Sequence, residues 1–128
     1  FVGGGVAHGP KGELRYKKRK LNKSEKKLSI ASLITKKYKD SNLIIFEDFE
    51  NKIIKTKEMN QILIKFKATN SVMILDKKSM DNIKNSARNI PNIKTTDVNH
   101  FSSFDLEKYK KIIFTETSIK ELEKRYIQ

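Results

Sequence analysis

Cysteine is absent from this sequence of 128 residues, and its absence excludes disulfide bonds and thiolate metal sites. Histidine is scarce as well: His8 and His100 lie far apart, so a zinc site would need carboxylates in unusual positions. No hydrophobic run approaches the roughly 18 residues that a membrane-spanning helix requires. From these gaps we expect no metal site, no cofactor and no membrane span.

Acidic residues are few compared with basic ones. The sequence has 28 lysines and arginines against 15 aspartates and glutamates, which gives a formal net charge of +13. Residues 1–40 hold twelve of the basic side chains and only three of the acidic ones. A polyanion is therefore the expected partner, and the first third of the chain is its expected contact surface.

All five glycines lie among the first twelve residues, in and beside the stretch "GGGVAHGP". A Walker A loop would place its glycines at Gly4 and Gly9, but Pro10 then occupies the lysine position and Lys11 the Ser/Thr position. A dinucleotide fingerprint fails as well, because His8 falls on its third glycine. Two interpretations of this glycine-rich basic segment are left: a disordered tail, or an arm that becomes ordered when it binds a polyanion.

Beyond the basic segment, hydrophobic periodicity alternates between helix and strand. The pattern predicts an α/β fold: a single three-layer domain with a mostly parallel sheet of about four strands flanked by helices, preceded by an extended basic arm. We assign residues 1–23 to the arm and residues 24–128 to the domain. The predicted helices are Ser24–Lys39, Thr56–Phe66, Asp81–Asn89, Ser102–Lys108 and Glu116–Tyr126, and the predicted strands are Leu43–Phe46, Ser71–Leu75, Ile93–Asp97 and Lys111–Phe114.

Three of the predicted helices carry specific local predictions about caps, an ion pair and a buried face. Asn22 or Ser24 is expected to cap the first helix, and Thr56 the second. Glu121 and Arg125 are spaced for an exposed ion pair on the last helix. The buried stripe of the first helix is predicted to comprise Leu28, Ala31, Ile34 and Tyr38, widened by Ile30 and Leu33.

An enzymatic function has one candidate location. Glu47, Asp48 and Glu50 cluster after the first predicted strand, where α/β enzymes often place their sites. A solvated loop is the simpler interpretation, and no serine lies in a nucleophile elbow. We therefore expect no catalytic residues, and keep a small α/β enzyme only as the competing class.

Several segments together resemble a known family. "GGGVAHGP", a basic helix, "KTKEM", "SARNIPNIK" and "FDLEKYKKIIFT" occur in an order that is similar to the ribosomal protein L4 family, in its bacterial and organellar form. The resemblance covers essentially the whole chain. It implies a structural constituent of the large ribosomal subunit that binds large-subunit rRNA and neighbouring ribosomal proteins. It also implies that the triple-glycine segment is the returning base of a long loop that reaches the exit tunnel.

The resemblance also has gaps. Asn22 stands where the family usually has proline, and the family's first strand and loop tip would precede Phe1. We therefore expect a C-terminal portion of the family, with the rest supplied by an upstream segment or a separate N-terminal polypeptide that pairs with the sheet edge. The abundance of lysine, isoleucine and asparagine favours the mitochondrial matrix over a bacterial cytoplasm or a plastid. An mRNA-binding translational regulator that uses the same surface is the alternative function.

The candidate RNA-binding residues combine backbone flexibility with positive charge. Glycine lets a backbone approach RNA closely, and lysine and arginine neutralise phosphates. Lys26 and Lys27 lie near a helix N-terminus, where cations are disfavoured unless a phosphate binds there. Tyr16, between Arg15 and Lys17, can either stack on a base or pack on the domain. The set is Gly3, Gly4, Gly5, His8, Lys11, Arg15, Tyr16, Lys17, Lys18, Arg19, Lys20, Lys23, Lys26 and Lys27.

Overall fold

The computed structural model describes residues 2–10, 12, 19–49 and 55–127. Within these residues helices and strands alternate along the chain, as the periodicity predicts. The elements are α1 (Lys23–Lys39), β1 (Leu43–Phe46), α2 (Thr56–Lys65), β2 (Ser71–Leu75), α3 (Lys77–Ala87), β3 (Ile93–Asp97), α4 (Ser103–Lys108), β4 (Lys111–Thr115) and α5 (Glu116–Tyr126).

The four strands form one parallel sheet in the order β1-β4-β2-β3. Strand β4 comes last in the chain but lies between β1 and β2, so Ile113 is opposite both Ile44 and Met73. Helices α1, α4 and α5 pack on one face of the sheet, and α2 and α3 pack on the other. The predicted three-layer α/β fold is confirmed, with every strand pair parallel.

The core consists of two hydrophobic clusters separated by the sheet. All five residues of β2 are buried, as is typical of an inner strand covered by helices on both faces. Neighbouring residues of β4 point to opposite faces, because Ile112 belongs to the cluster under α1 and Ile113 to the cluster under α2. The short apolar runs of the sequence are therefore the centre of the molecule.

Helix α3 begins four residues earlier than predicted, at Lys77 instead of Asp81. The signal is Asp76, whose carboxylate accepts a hydrogen bond from the Ser79 backbone N–H at 3.2 Å and caps the helix. Smaller differences occur elsewhere. Lys55, and not Thr56, occupies the N-cap position of α2, whereas the predicted cap Asn22 precedes α1.

The buried face of α1 differs from the predicted stripe. Leu28 and Tyr38 are 69% and 72% exposed, and Ala31 is exposed as well. The predictions of Ile30, Leu33 and Ile34 are confirmed, since all three pack on the body, and Lys37 joins them. The stem of Lys37 is buried while its Nζ donates to the backbone carbonyls of Tyr109 at 2.7 Å and Lys110 at 3.2 Å.

Replacing Lys37 with methionine should destabilise the fold by about 1–3 kcal/mol, because two carbonyls lose their donor while the packing of the stem is kept. Urea unfolding followed by circular dichroism measures the loss. The matched control is Lys39→Met at an exposed position of the same helix, where we expect less than about 0.5 kcal/mol. Equal effects of the two substitutions would contradict this role of Lys37.

The acidic residues near β1 and β2 support helix starts. Asp48 accepts hydrogen bonds from the backbone N–H of Thr117, at 3.0 Å, and from its hydroxyl group, near the start of α5. Asp76 also accepts from the buried Thr115 hydroxyl at 3.2 Å. Burial would raise the pKa of Asp76, but the hydrogen bonds from Ser79 and Thr115 outweigh it and hold this pKa below its usual value. Glu50 lies outside the described residues.

Asp105 anchors the short helix α4. Its carboxylate accepts from Lys94 Nζ at 2.6 Å and from the Ser102 hydroxyl at 3.1 Å. It also accepts from the Ser102 backbone N–H at 3.3 Å, and the Ser102 hydroxyl accepts from the Asp105 backbone N–H at 3.4 Å, so the two residues form a capping box. Burial would raise the pKa of Asp105, but the Lys94 and Ser102 contacts outweigh it and lower this pKa.

The free energy of unfolding should fall in acid. Because the pKa values of Asp76 and Asp105 are lower in the folded than in the unfolded chain, their contribution is complete above the unfolded value of about 4 and is lost as the pH drops through the folded values. Denaturant titrations between neutral and strongly acidic pH test this. The variant Asp105→Asn should show a weaker pH dependence, and Asp81→Asn, at an exposed position, is its control. A wild-type pH profile for Asp105→Asn would contradict the assignment.

Helix α5 packs through Ile119, Leu122 and Tyr126, as predicted. The predicted ion pair of Glu121 and Arg125 does not form in the part of the chain that the structure describes. The Arg125 guanidinium donates to the backbone carbonyl of Val98 at 2.8 Å, and so ties the end of the helix to the residue after β3. A carbonyl from a distant loop has no signal in the local sequence, so spacing alone suggested Glu121.

Candidate nucleic-acid interface

The segment before α1 is exposed wherever the structure describes it. Residues 2–10, 12 and 19–22 contain turns and bends but no helix or strand. Gly3 and Gly4 have φ angles of 91° and 76°, in the region that side chains other than glycine rarely adopt. Among the described residues nothing lies within 4 Å of where a Cβ would stand on either, so backbone conformation and not crowding calls for glycine here.

Most of the predicted site residues can be located. Those in the described part of the chain are all exposed: Gly3, Gly4, Gly5, His8, Arg19, Lys20, Lys23, Lys26 and Lys27. The remaining predictions, Lys11, Arg15, Tyr16, Lys17 and Lys18, lie outside the described residues.

The first two turns of α1 extend beyond the packed body. Every residue of Lys23–Ser29 is exposed, and Ile30 is the first buried residue of the helix. At 1.5 Å per residue, this projecting part is about 10 Å long. The Glu25 carboxylate accepts a hydrogen bond from the Asn22 backbone N–H at 3.0 Å, which stabilises the start of the helix.

Three lysines of the projecting turns share one helix face. Lys23, Lys26 and Lys27 are spaced i, i+3 and i+4, and the next position on that face is the buried Ile30. The face that packs on the body is therefore cationic where it leaves the body. A phosphate bound there would meet both these side chains and the free N–H groups of the helix start.

Other kinds of site have little support in the structure. Within residues 2–10, 12, 19–49 and 55–127, no group of three or more metal-ligating side chains is close enough to hold an ion. No helix of the same residues is long and apolar enough to cross a membrane. The strongest chemical feature is the positive charge around α1.

These features define a basic α/β protein whose candidate functional site is a charged surface. Comparison with known proteins identifies the family. The model of the ribosomal protein L4/L1 family matches residues 1–125, so the chain belongs to that family. The family is structural and non-enzymatic, and the alternative of a small α/β enzyme is not favoured.

Curated relatives agree with the family match. The chain is 73% identical over 126 residues to the large ribosomal subunit protein uL4 of Pelagibacter ubique, a match that covers 98% of this chain and 61% of that protein. The uL4 proteins of Geobacter sulfurreducens and Magnetococcus marinus are 31% and 34% identical over 123 and 125 residues. Those matches cover 96% and 98% of this chain and 58% and 59% of the relatives. The chain thus spans about three fifths of the length of these relatives.

Proposed function

We propose that this chain is a structural constituent of the large ribosomal subunit and binds large-subunit rRNA. The observation that carries the proposal is the family match over residues 1–125. The charge distribution is in keeping with it, since twelve of the 28 basic side chains lie in residues 1–40 and only three acidic ones accompany them. Release of counterions from RNA by such a segment is the largest sequence-independent source of affinity.

The proposed division of labour assigns residues 1–23 to an RNA-binding arm and residues 24–128 to the body that positions it. The exposed positions from Arg19 to Lys27 support this, because they join the two parts in one continuous cationic surface. Glu25 is the one acidic residue between Arg19 and Lys27, and its carboxylate is bonded to the Asn22 backbone. The projecting turns of α1 then extend the arm's contact surface onto the body.

The proposed particle is a bacterial ribosome. Identity of 73% to a protein of Pelagibacter ubique supports this choice, and the three relatives described above are all bacterial. None of them supports the mitochondrial matrix that the residue composition favoured. Neighbouring large-subunit ribosomal proteins are proposed as further partners.

The relatives are longer than this chain, and we propose a place for their additional part. It would reach the particle as an upstream segment or as a separate polypeptide, and would pair with an edge of the sheet. Strands β1 and β3 are the edge strands, each paired on one side within the described residues. Mass spectrometry of the purified particle tests this, and a particle without any such segment would contradict it.

Expression of the tagged chain in a bacterial host tests the main proposal. We expect the chain to sediment with the large subunit in a sucrose gradient, and to dissociate only at high salt because phosphate contacts are salt-dependent. Sedimentation as a free protein at low salt, with no large-subunit rRNA recovered on the tag, would contradict the proposed function. A basic protein that binds RNA nonspecifically, such as a polylysine fusion of the same tag, is the control.

A further inference from the structure

The two edges of the sheet carry opposite charge. We define the amino edge as the loops that lead from a helix to a strand, together with one residue on either side of each loop. The carboxyl edge comprises the loops that lead from a strand to a helix, again with one residue on either side. The charged residues of the amino edge are Lys39, Asp40, Lys65, Lys67, Arg88, Lys108, Lys110 and Lys111. Those described at the carboxyl edge are Glu47, Asp48, Lys55, Asp76, Lys77, Asp97 and Glu116. The body is therefore polarised, with its cations where the strands begin.

Helix dipoles explain only part of this distribution. Lysine is favoured in the last turn of a helix, which accounts for Lys39, Lys65 and Lys108. Lys67 and Lys110 lie in loops beyond the helix ends and are exposed. The helix dipole does not account for the charge of these two lysines. Their exposed ammonium groups can contact a ligand.

Lys67 stands in a conformation that does not suit its side chain. Its φ angle is 51°, at the position after a helix where glycine or asparagine is usual. The backbone N–H of Lys67 donates to Ile64 and that of Ala68 to Leu63, so the turn is tightly held. The turn therefore fixes where Lys67 stands at the amino edge, and its side chain is exposed there.

A cleft runs along α2, from Thr56 and Lys57 at the start of the helix to Ile64 near its end, beside the turn that leads from α3 to β3. Its volume is about 530 Å³, and it lies next to Lys67 and Arg88 in the chain. Apolar surface is supplied by Ile64, Ile90 and Pro91. Exposed amides are supplied by Asn60, Asn89 and Asn92. Flat apolar surface together with amide donors and acceptors suits a nucleic-acid base, and the cations beside it suit the phosphates on either side of that base.

We propose that the amino edge is a second RNA-binding surface, and that the cleft holds an unstacked base from a single-stranded part of the rRNA. This inference rests on the proposed function but concerns a face opposite to the acidic carboxyl edge and separate from the arm. Charge decides between RNA and a protein segment as the occupant, because six exposed cations of the edge face a single aspartate. The protein then holds RNA at two places, the arm and the amino edge.

Cross-linking locates the contact directly. The full chain is bound to a transcript of the Pelagibacter ubique large-subunit rRNA that contains 4-thiouridine, irradiated and digested, and the cross-linked peptides are identified by mass spectrometry. Cross-links in α2 or in residues 89–93, beside those of the arm, would support the inference. Cross-links confined to residues 1–27 would overturn it and leave the proposed function intact, whereas a chain that binds no rRNA would overturn both. Cross-links from the cleft to a neighbouring protein in the purified subunit, with none to RNA, would assign the cleft to a protein.

Matched variants separate the cations from the cleft. Reversal of Lys67, Arg88 and Lys110 to glutamate should weaken rRNA binding about tenfold to hundredfold at 0.1 M salt, and lower the slope against salt by about 2–3. The control carries the same charge change on exposed lysines away from the amino edge and the cleft, as Lys77→Glu, Lys78→Glu and Lys120→Glu. If the first variant melts early, glutamine at the same three positions replaces it. Equal losses in the edge variant and its control would overturn the inference.

The cleft has its own pair of variants. Asn60→Ala and Asn89→Ala should each weaken binding about threefold to tenfold without changing the salt slope, because they remove hydrogen bonds and not charge. Asn85→Ala, an exposed asparagine of α3 outside the cleft, is the control and should bind as the wild type does. Wild-type binding by both cleft variants would overturn the assignment of a base to the cleft.

Discussion

Reversing Arg15, Lys17, Lys18 and Arg19 to glutamate is expected to abolish incorporation into the large subunit. Four attractive charges become four repulsive ones, and the removal of a single phosphate interaction lowers affinity by up to about tenfold at 0.1 M salt. Sedimentation of the tagged variant with the subunit, compared with the wild-type chain, measures the effect. The melting temperature should barely change, because every residue that the structure describes between 2 and 23 is exposed.

The control for this variant reverses four exposed lysines elsewhere, Lys77, Lys78, Lys120 and Lys124. Arg125 keeps its charge in the control because its guanidinium donates to Val98. We expect the control to be incorporated at a clearly higher level than the arm variant. If the control lost as much binding as the arm variant, total charge and not the arm would determine incorporation.

Truncation of Ile113 to alanine is expected to destabilise the body by about 2–5 kcal/mol, since it opens a cavity in a fully buried site of the central strand. For a body of this size, that loss lowers the melting temperature by about 10–30 °C. Thermal unfolding followed by circular dichroism measures it. Incorporation into the subunit should fall as well, since the body then fails to position the arm.

Ile45→Ala is the matched control, because it makes the same chemical change on the edge strand β1, where the side chain is 53% exposed. We expect a loss below about 1 kcal/mol there. Similar melting temperatures for the two variants would mean that β4 is not the packed centre of the sheet.

The sequence predicts the strands well because each is a short apolar run between polar residues. Strand β2, "SVMIL", matches the prediction at both ends, and β4 is longer by the single residue Thr115. Helix starts are harder, since α3 opens with Lys77 and Lys78, which look like a loop until Asp76 is recognised as a cap. On α1 the prediction is wrong for Leu28, Ala31 and Tyr38 and right for the other three residues of the stripe. Lys37 counts as polar in any periodicity, although the fold buries its stem and its amine donates to backbone carbonyls.

The candidate site also has one part that the sequence predicts and one part that it does not. The arm's cations are contiguous in sequence, so composition alone finds them. The amino edge is assembled from four separate loops. Lys39 and Lys110 can be assigned to the same edge only when the strands are known to be parallel. Along the chain these cations alternate with the acids of the carboxyl edge, so no cationic run marks the amino edge in the sequence.

The position of β4 has a consequence for synthesis of the chain. Within the described part of the chain β1 pairs with β4 alone, so residues 43–46 gain this partner when residue 115 has left the ribosome that makes them. Up to that point β2 and β3 can pair, but neither hydrophobic cluster is closed, because Ile112 and Ile113 are missing from them. Non-local pairing of this kind is slow and leaves apolar surface open. A nascent chain that stops early therefore has no stable body to present its arm, and only a translated β4 yields a protein fit for assembly.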